Sequence, residues 1–188
     1  MRLHTTTFAI VSIVLFGLAI EQVNAQQPLS SGLKVGRRPG PYTSVVSVGK
    51  ERGTSHCYIC ESLDRPVLIV FARELTPELG KLVTKIDAEE PNQEKGLRAW
   101  VTFLHEDQAS IDKKIITWAK KHAVRNMPIG VFEDLAGPPT YLLSKQAEVT
   151  VLLSVDYKVV GNFAFRKGEL NDKAITKIVK TLPKIMGK

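Results

Sequence analysis

With 188 residues, two cysteines and a formal net charge of +7, the chain can bury the core of one ordinary domain but cannot build an all-thiolate zinc site. The basic excess suits anionic surfaces such as lipid headgroups, acidic glycans or acidic partners. Aromatic residues do not interleave with the basic ones, and the chain carries an export signal, so nucleic acid is set aside as a partner.

Arg2 precedes an apolar run from Phe8 to Ile20, and Val23-Asn24-Ala25 then offers a cleavage site. Residues 1–25 read as a secretory signal, and the mature chain starts at Gln26. The apolar run of about 13 residues is short of the ~20 that span a bilayer, and no second stretch approaches that length. No cysteine directly follows it to take a lipid anchor. Arg2 and Glu21 cancel, so the mature part keeps the whole basic excess. The expected location is secreted or periplasmic, where disulfides persist.

Residues 26–41 carry Pro28, Gly32, Gly36, Pro39, Gly40 and Pro41 and read as an extended leader. A short strand over Thr43 to Val48 is closed by Gly49-Lys50. Pro66 to Ala72 is uniformly apolar and β-branched, as for a strand buried on both faces. Thr76-Pro77-Glu78 supplies a capping hydroxyl, a proline at the first helical position and an acid in the first turn. The helix that follows turns Leu79, Leu82, Val83 and Ile86 inward and breaks at Pro91 to Gly96. A strand is expected over Leu97 to Leu104, then a helix capped by Ser110 with Ile111, Ile115, Trp118 and Ala119 on one face. Met127 to Phe132 is a further strand, and Gly137-Pro138-Pro139 a turn. Val149 to Val155 and Lys158 to Phe165 form a hairpin about Asp156-Tyr157. The last helix is predicted over Glu169 to Met186, with Leu170, Ile175, Ile178, Val179 and Leu182 inward and Lys173, Lys177, Lys180 and Lys184 outward.

This order predicts an α/β fold with a mixed central sheet flanked by helices. It resembles the thioredoxin-like superfamily in its redoxin and peroxiredoxin variant, over residues 35 to 186, so that 42–188 would be a single thioredoxin-like domain. Val35-Gly36 through Pro41-Tyr42 resembles the G-x-x-x-P-x-aromatic opening of redoxin domains. Pro66 to Phe71 resembles their first core strand, and Asp156-Tyr157-Lys158-Val159-Val160 their D-G-K hairpin.

The resemblance implies a thiol pair after the core strand, at the start of the next helix. Counting on from Phe71 brings Thr76 and Leu79 near those positions, and Phe71 through Leu79 holds no cysteine. Thr76-Pro77 resembles the threonine-proline pair ahead of a peroxidatic cysteine, which would fall close to Leu79. The proline that thioredoxins set opposite the thiols is also missing from Glu148-Val149-Thr150.

Both cysteines instead precede the core strand, as Cys57-Tyr58-Ile59-Cys60. Three readings stay open. As a displaced redox pair, Cys57, expected to be the more exposed thiol, attacks and Cys60 resolves. His56, Arg52 and Arg65 would favour thiolate, Glu61 and Asp64 oppose it, and the Tyr-Ile spacer would shield a disulfide. As a structural staple, the pair stiffens a loop in a redox-inert binding module. As a metal site, His56, Cys57 and Cys60 suit copper, and zinc would need His105, His122 or a carboxylate besides. No cofactor is expected, and covalent haem is disfavoured because Glu61 stands where C-x-x-C-H needs histidine. Protein thiols or disulfides are the expected partners of a thiol–disulfide oxidoreductase of this kind. His105 reads as a solvated loop residue, His122 as a helix cap favoured when protonated, and Trp100 and Trp118 as core.

Overall fold

Val67–Ala72 (β3) has no polar interruption and is buried along its whole length, as the apolar run predicts. In the computed structural model, which describes residues 27–62, 64–89 and 96–186, β3 is an inner strand of a seven-stranded sheet. The expected signal segment lies outside the described residues. The other strands are Ser44–Val48 (β1), Ser55–His56 (β2), Arg98–Leu104 (β4), Ile129–Phe132 (β5), Val149–Val155 (β6) and Lys158–Phe165 (β7), in the order β2-β1-β5-β4-β3-β6-β7. β3 pairs parallel with β4 and antiparallel with β6, so the sheet is mixed, as expected.

The helices are Tyr58–Ser62 (α1), Pro77–Glu89 (α2), Gln108–Lys121 (α3), Asp172–Val179 (α4) and Leu182–Ile185 (α5). Thr76 caps α2, its hydroxyl accepting the Leu79 N–H at 3.2 Å. The start of α3 differs from the expectation. Asp107, in extended backbone, is the cap and accepts the Ser110 N–H at 3.3 Å. A carboxylate there also meets the positive end of the helix. The single last helix expected over 169–186 is two helices. Asn171 caps α4 by accepting the Ala174 N–H at 3.0 Å, and Pro183 lacks the N–H that would bond back to Val179 and continue the helix.

Alternation along the strands builds two cores on opposite faces of the sheet. Leu68, Val70, Val101 and Val151 face the inner sides of α2, α3, α4 and α5. Val67, Ile69, Phe71, Trp100 and Leu152 meet Leu33 and Tyr141 on the other face, with Tyr58 and Ile59 of α1 packed against them. Leu79, Leu82, Val83 and Ile86 are fully buried, as their spacing predicts.

The leader is bonded to this second face. The Gly36 N–H donates to Val159 O at 2.8 Å and the Val159 N–H to Arg37 O at 2.9 Å. The Asn162 side-chain amide donates to Ser31 O and Leu33 O. At the far end of β6, Asp156 and Tyr157 both adopt left-handed backbone (φ 48° and 62°), the geometry of a tight two-residue hairpin turn.

Two elements lie below the reach of sequence periodicity. β2 is two residues long and pairs with β1 through Ser44–His56 and Val45–Ser55. α1 is a single polar-flanked turn. Cys57 lies between them and Cys60 within α1.

Candidate functional site

The loop after β3, where the family resemblance places the thiols, is filled by protein. Leu79 is wholly buried, and the Trp118 indole N–H donates to Thr76 O at 3.1 Å. Arg73 ties the neighbouring loop to the end of β3, donating to Ala147 O at 2.9 Å, Ser144 O at 3.2 Å and Leu135 O. Burial lowers the Arg73 pKa from its ordinary value.

Glu148 stands just ahead of β6, in the stretch matched to the thioredoxin proline, and is 9% exposed. Burial, then the charge of Glu74, raises its carboxyl above the usual glutamate range; Lys167 opposes and Glu78 adds to the rise. A carboxyl whose folded-state pKa is raised contributes stability below its unfolded pKa and loses it as pH rises through the folded value. Glu148→Gln should therefore be the more stable form at neutral pH, with its lead over the parent shrinking as the pH falls from neutral towards the ordinary glutamate range. Urea unfolding across that window checks it; a lead that does not change with pH would refute the carboxyl's role.

The cysteines lie at the opposite pole. β3 has six residues, and at ~3.3 Å per residue the two ends are separated by roughly 16–20 Å. Cys57 and Cys60 are joined as a disulfide with Cα atoms 5.4 Å apart, and the Cys60 N–H donates to Cys57 O at 3.1 Å. The spacer does not cover the sulfurs. Tyr58 packs on Trp100 (ring centroids 5.7 Å) and its hydroxyl donates to Glu51 at 3.2 Å, while Ile59 joins the same core. Burial, then the Glu51 and Glu61 charges, pushes the Tyr58 phenol well above its usual pKa. With both spacer side chains anchored inward, the disulfide is held at the surface.

The expected order of exposure is reversed: Cys60 is exposed and Cys57 is half-buried. Cys57 lies where the chain turns from β2 into α1, pinned between two anchored residues, while Cys60 sits one turn on. The charged neighbours also separate. Arg52 donates to Ser47 O at 3.0 Å and to Asp112 at 3.1 Å. His56 stacks on Tyr58 (centroids 4.4 Å) with a Glu61 oxygen 3.3 Å from Nε2, off the hydrogen-bond axis, so that Nε2 has no partner.

In this oxidised state each sulfur is bonded to the other and has no thiolate to offer a metal. Among the described residues no three His, Cys, Asp or Glu side chains converge. His105 bonds Asp107 through Nδ1. His122 is the C-cap of α3 and lies so close over Gly80 that a Cβ there would come within 2.3 Å of the ring. Burial and Lys121 lower its pKa, so the cap expected to favour the protonated ring favours the neutral one.

No family model matches the sequence, and no curated protein matches it. Solved structures do match. A candidate protein disulfide isomerase from Bacteroides thetaiotaomicron superposes with a TM-score of 0.65 at 14% identity, covering 85% of this chain and 96% of that one. A candidate thiol:disulfide interchange protein DsbE from Chlorobium tepidum gives 0.60 at 11% identity, covering 82% and 99%. The fold is thioredoxin-like. Peroxidoxin BcpB from Mycobacterium tuberculosis, with a TM-score of 0.56 at 16% identity over 81% and 98% of the two chains, extends the likeness to the peroxiredoxin branch. On this thioredoxin-like frame the thiol pair sits ahead of the core strand, at the pole away from the loop that follows it.

Spacing in the sequence identifies the Cys57–Cys60 pair. Its surroundings were not readable there: Glu51 and Trp100, which fix α1, reach it through the β1–β2 hairpin and the sheet.

Proposed function

We propose that this chain is an exported thiol–disulfide exchange protein working through Cys57–Cys60. The observation that carries the reading is a surface disulfide with an exposed Cys60, clamped by Tyr58 and Ile59 onto a fold shared with thiol–disulfide proteins. A substrate thiolate attacks Cys60 Sγ; the Cys57–Cys60 bond breaks and Cys57 leaves as thiolate. A second substrate thiol, deprotonated, attacks the mixed disulfide and releases Cys60 as thiolate. Two electrons pass to the protein, and the substrate leaves as a disulfide. In the reverse direction Cys60 attacks and Cys57 resolves, so the roles are exchanged relative to the sequence expectation.

Export is supported by the Phe8–Ile20 run and the Val23-Asn24-Ala25 site, and among the described residues no helix is long and apolar enough to cross a membrane. A ring closed over so few residues gains little chain-entropy stabilisation, which argues against a staple. The deciding experiment equilibrates the protein with glutathione and dithiothreitol buffers and follows the thiol state by mass. A potential above about −300 mV, together with exchange on a protein disulfide, is expected. A lower potential with no exchange makes the pair a structural staple.

A further inference from the structure

α1 divides the surface of this pole into two hollows of different charge. On one side a cavity of about 570 Å³ holds both signs, with Lys50, Arg98 and Arg125 facing Glu51 and Glu61, and contains no cysteine. On the other side a hollow of about 460 Å³ is lined by Cys60 itself. Among the described residues its charged side chains are Arg38 and Arg65, and no Asp or Glu lines it.

Both guanidiniums are available. Arg38 lies over the Tyr157 ring at 4.5 Å, a stacking that leaves its N–H edge open to an acceptor. The left-handed hairpin turn is what presents Tyr157 there. Arg65 lies along Gly96, where an added Cβ would meet its Cδ at 3.4 Å, so the missing side chain leaves the stem its path. Among the described residues neither forms an ion pair. Between the charges the walls are apolar: Ile59, Val67 and the two leader prolines Pro39 and Pro41. The hollow is of the size of small-ligand pockets.

We propose that this hollow selects the substrate of the exchange reaction, and that the substrate is a peptide segment whose cysteine is flanked by acidic residues. The proposal rests on the exchange reading above and adds recognition to it. Charge complementarity sets the flanking residues, because two cations with no facing acid among the described residues favour carboxylates on either side of the reacting sulfur. The apolar walls call for the stems of neighbouring residues, which a peptide has and a small acidic thiol lacks. The reaction is the one already written, with the peptide thiolate attacking Cys60 Sγ and Cys57 leaving as thiolate. No further oxidant is required.

The test mixes the oxidised, mature protein with capped pentapeptides of sequence Glu-Ala-Cys-Ala-Glu, Gln-Ala-Cys-Ala-Gln and Lys-Ala-Cys-Ala-Lys, and with mercaptosuccinate. Rates of opening of the Cys57–Cys60 bond are expressed per thiolate, since flanking charge also shifts the peptide thiol's pKa. The acidic peptide is expected to react about tenfold faster than the lysine peptide, with the ratio falling as salt rises. The double variant Arg38→Gln, Arg65→Gln should bring the ratio of acidic to lysine peptide to about one, whatever its rate with the glutamine peptide, and a ratio that stays near tenfold in the variant overturns the role of the two arginines. Equal rates for the three peptides in the parent protein overturn the recognition and leave exchange standing. Mercaptosuccinate reacting as fast as the acidic peptide overturns the choice of a peptide. If no thiol opens the bond, both the recognition and the exchange reading fall.

Discussion

Cys60→Ser and Cys57→Ser should each reduce thiol–disulfide exchange to background, whereas changes at the pole where the fold's thiols are expected should leave it intact. The two serine variants should fail differently. With Cys57 replaced, the exposed Cys60 can still attack a substrate disulfide, but nothing resolves the mixed disulfide, which should accumulate and be visible by mass. With Cys60 replaced, the remaining thiol is the half-buried Cys57, and little adduct should form. At the other pole Thr76→Ala removes the α2 cap, at a cost of about 1 kcal/mol, and Leu79→Met keeps the buried volume, at a cost below about 1.5 kcal/mol. Both should leave exchange rates within about twofold of the parent, since neither destabilisation unfolds a typical domain. Insulin reduction that survives Cys60→Ser would end the case for this pair. Loss of exchange in Leu79→Met without loss of folding would return the chemistry to the usual pole.

What was legible in the sequence follows from how local each signal is. The apolar run at 66–72, the Thr76 cap and the 156–157 turn are written in consecutive residues, and the structure has all three. So is the vacancy at Thr76 and Leu79, which follows from counting along a strand. The features that make a site of Cys57–Cys60 are not consecutive. Tyr58 meets Trp100, Arg38 meets Tyr157, and Cys60 faces Val67 and Ser154 only because the hairpin brings the tip of β6–β7 beside α1. The exposure of the two cysteines is not legible for the same reason: position in the motif says nothing about which sulfur the fold turns outward. Apolar periodicity runs on through 169–186, but Pro183, a local signal, divides the segment into α4 and α5.

The residue with the largest expected effect on stability is one that no pattern marks. Asp87 lies in the last turn of α2, where a negative charge opposes the helix dipole, yet it is only 5% exposed. Its carboxylate accepts three consecutive backbone N–H groups from the turn between α3 and β5: Arg125 at 3.0 Å, Asn126 at 2.8 Å and Met127 at 2.6 Å. The carboxylate occupies the place where water would otherwise bond these donors. Asp87→Ala should cost about 3–5 kcal/mol, since it strands several donors in a buried place and removes charge-assisted bonds. Asp87→Asn should fall between, at about 1–3 kcal/mol: its oxygen can keep the Asn126 and Met127 bonds, but its amide nitrogen faces the Arg125 N–H, donor against donor. Urea unfolding should report a lower midpoint with an unchanged slope. Exchange at Cys57–Cys60 should persist in whatever fraction stays folded, because Asp87 supports the hollow on the Tyr58 side of α1 and not the one lined by Cys60. A cost below about 1 kcal/mol for Asp87→Ala would mean that water replaces the carboxylate, and that the turn holds its shape without it.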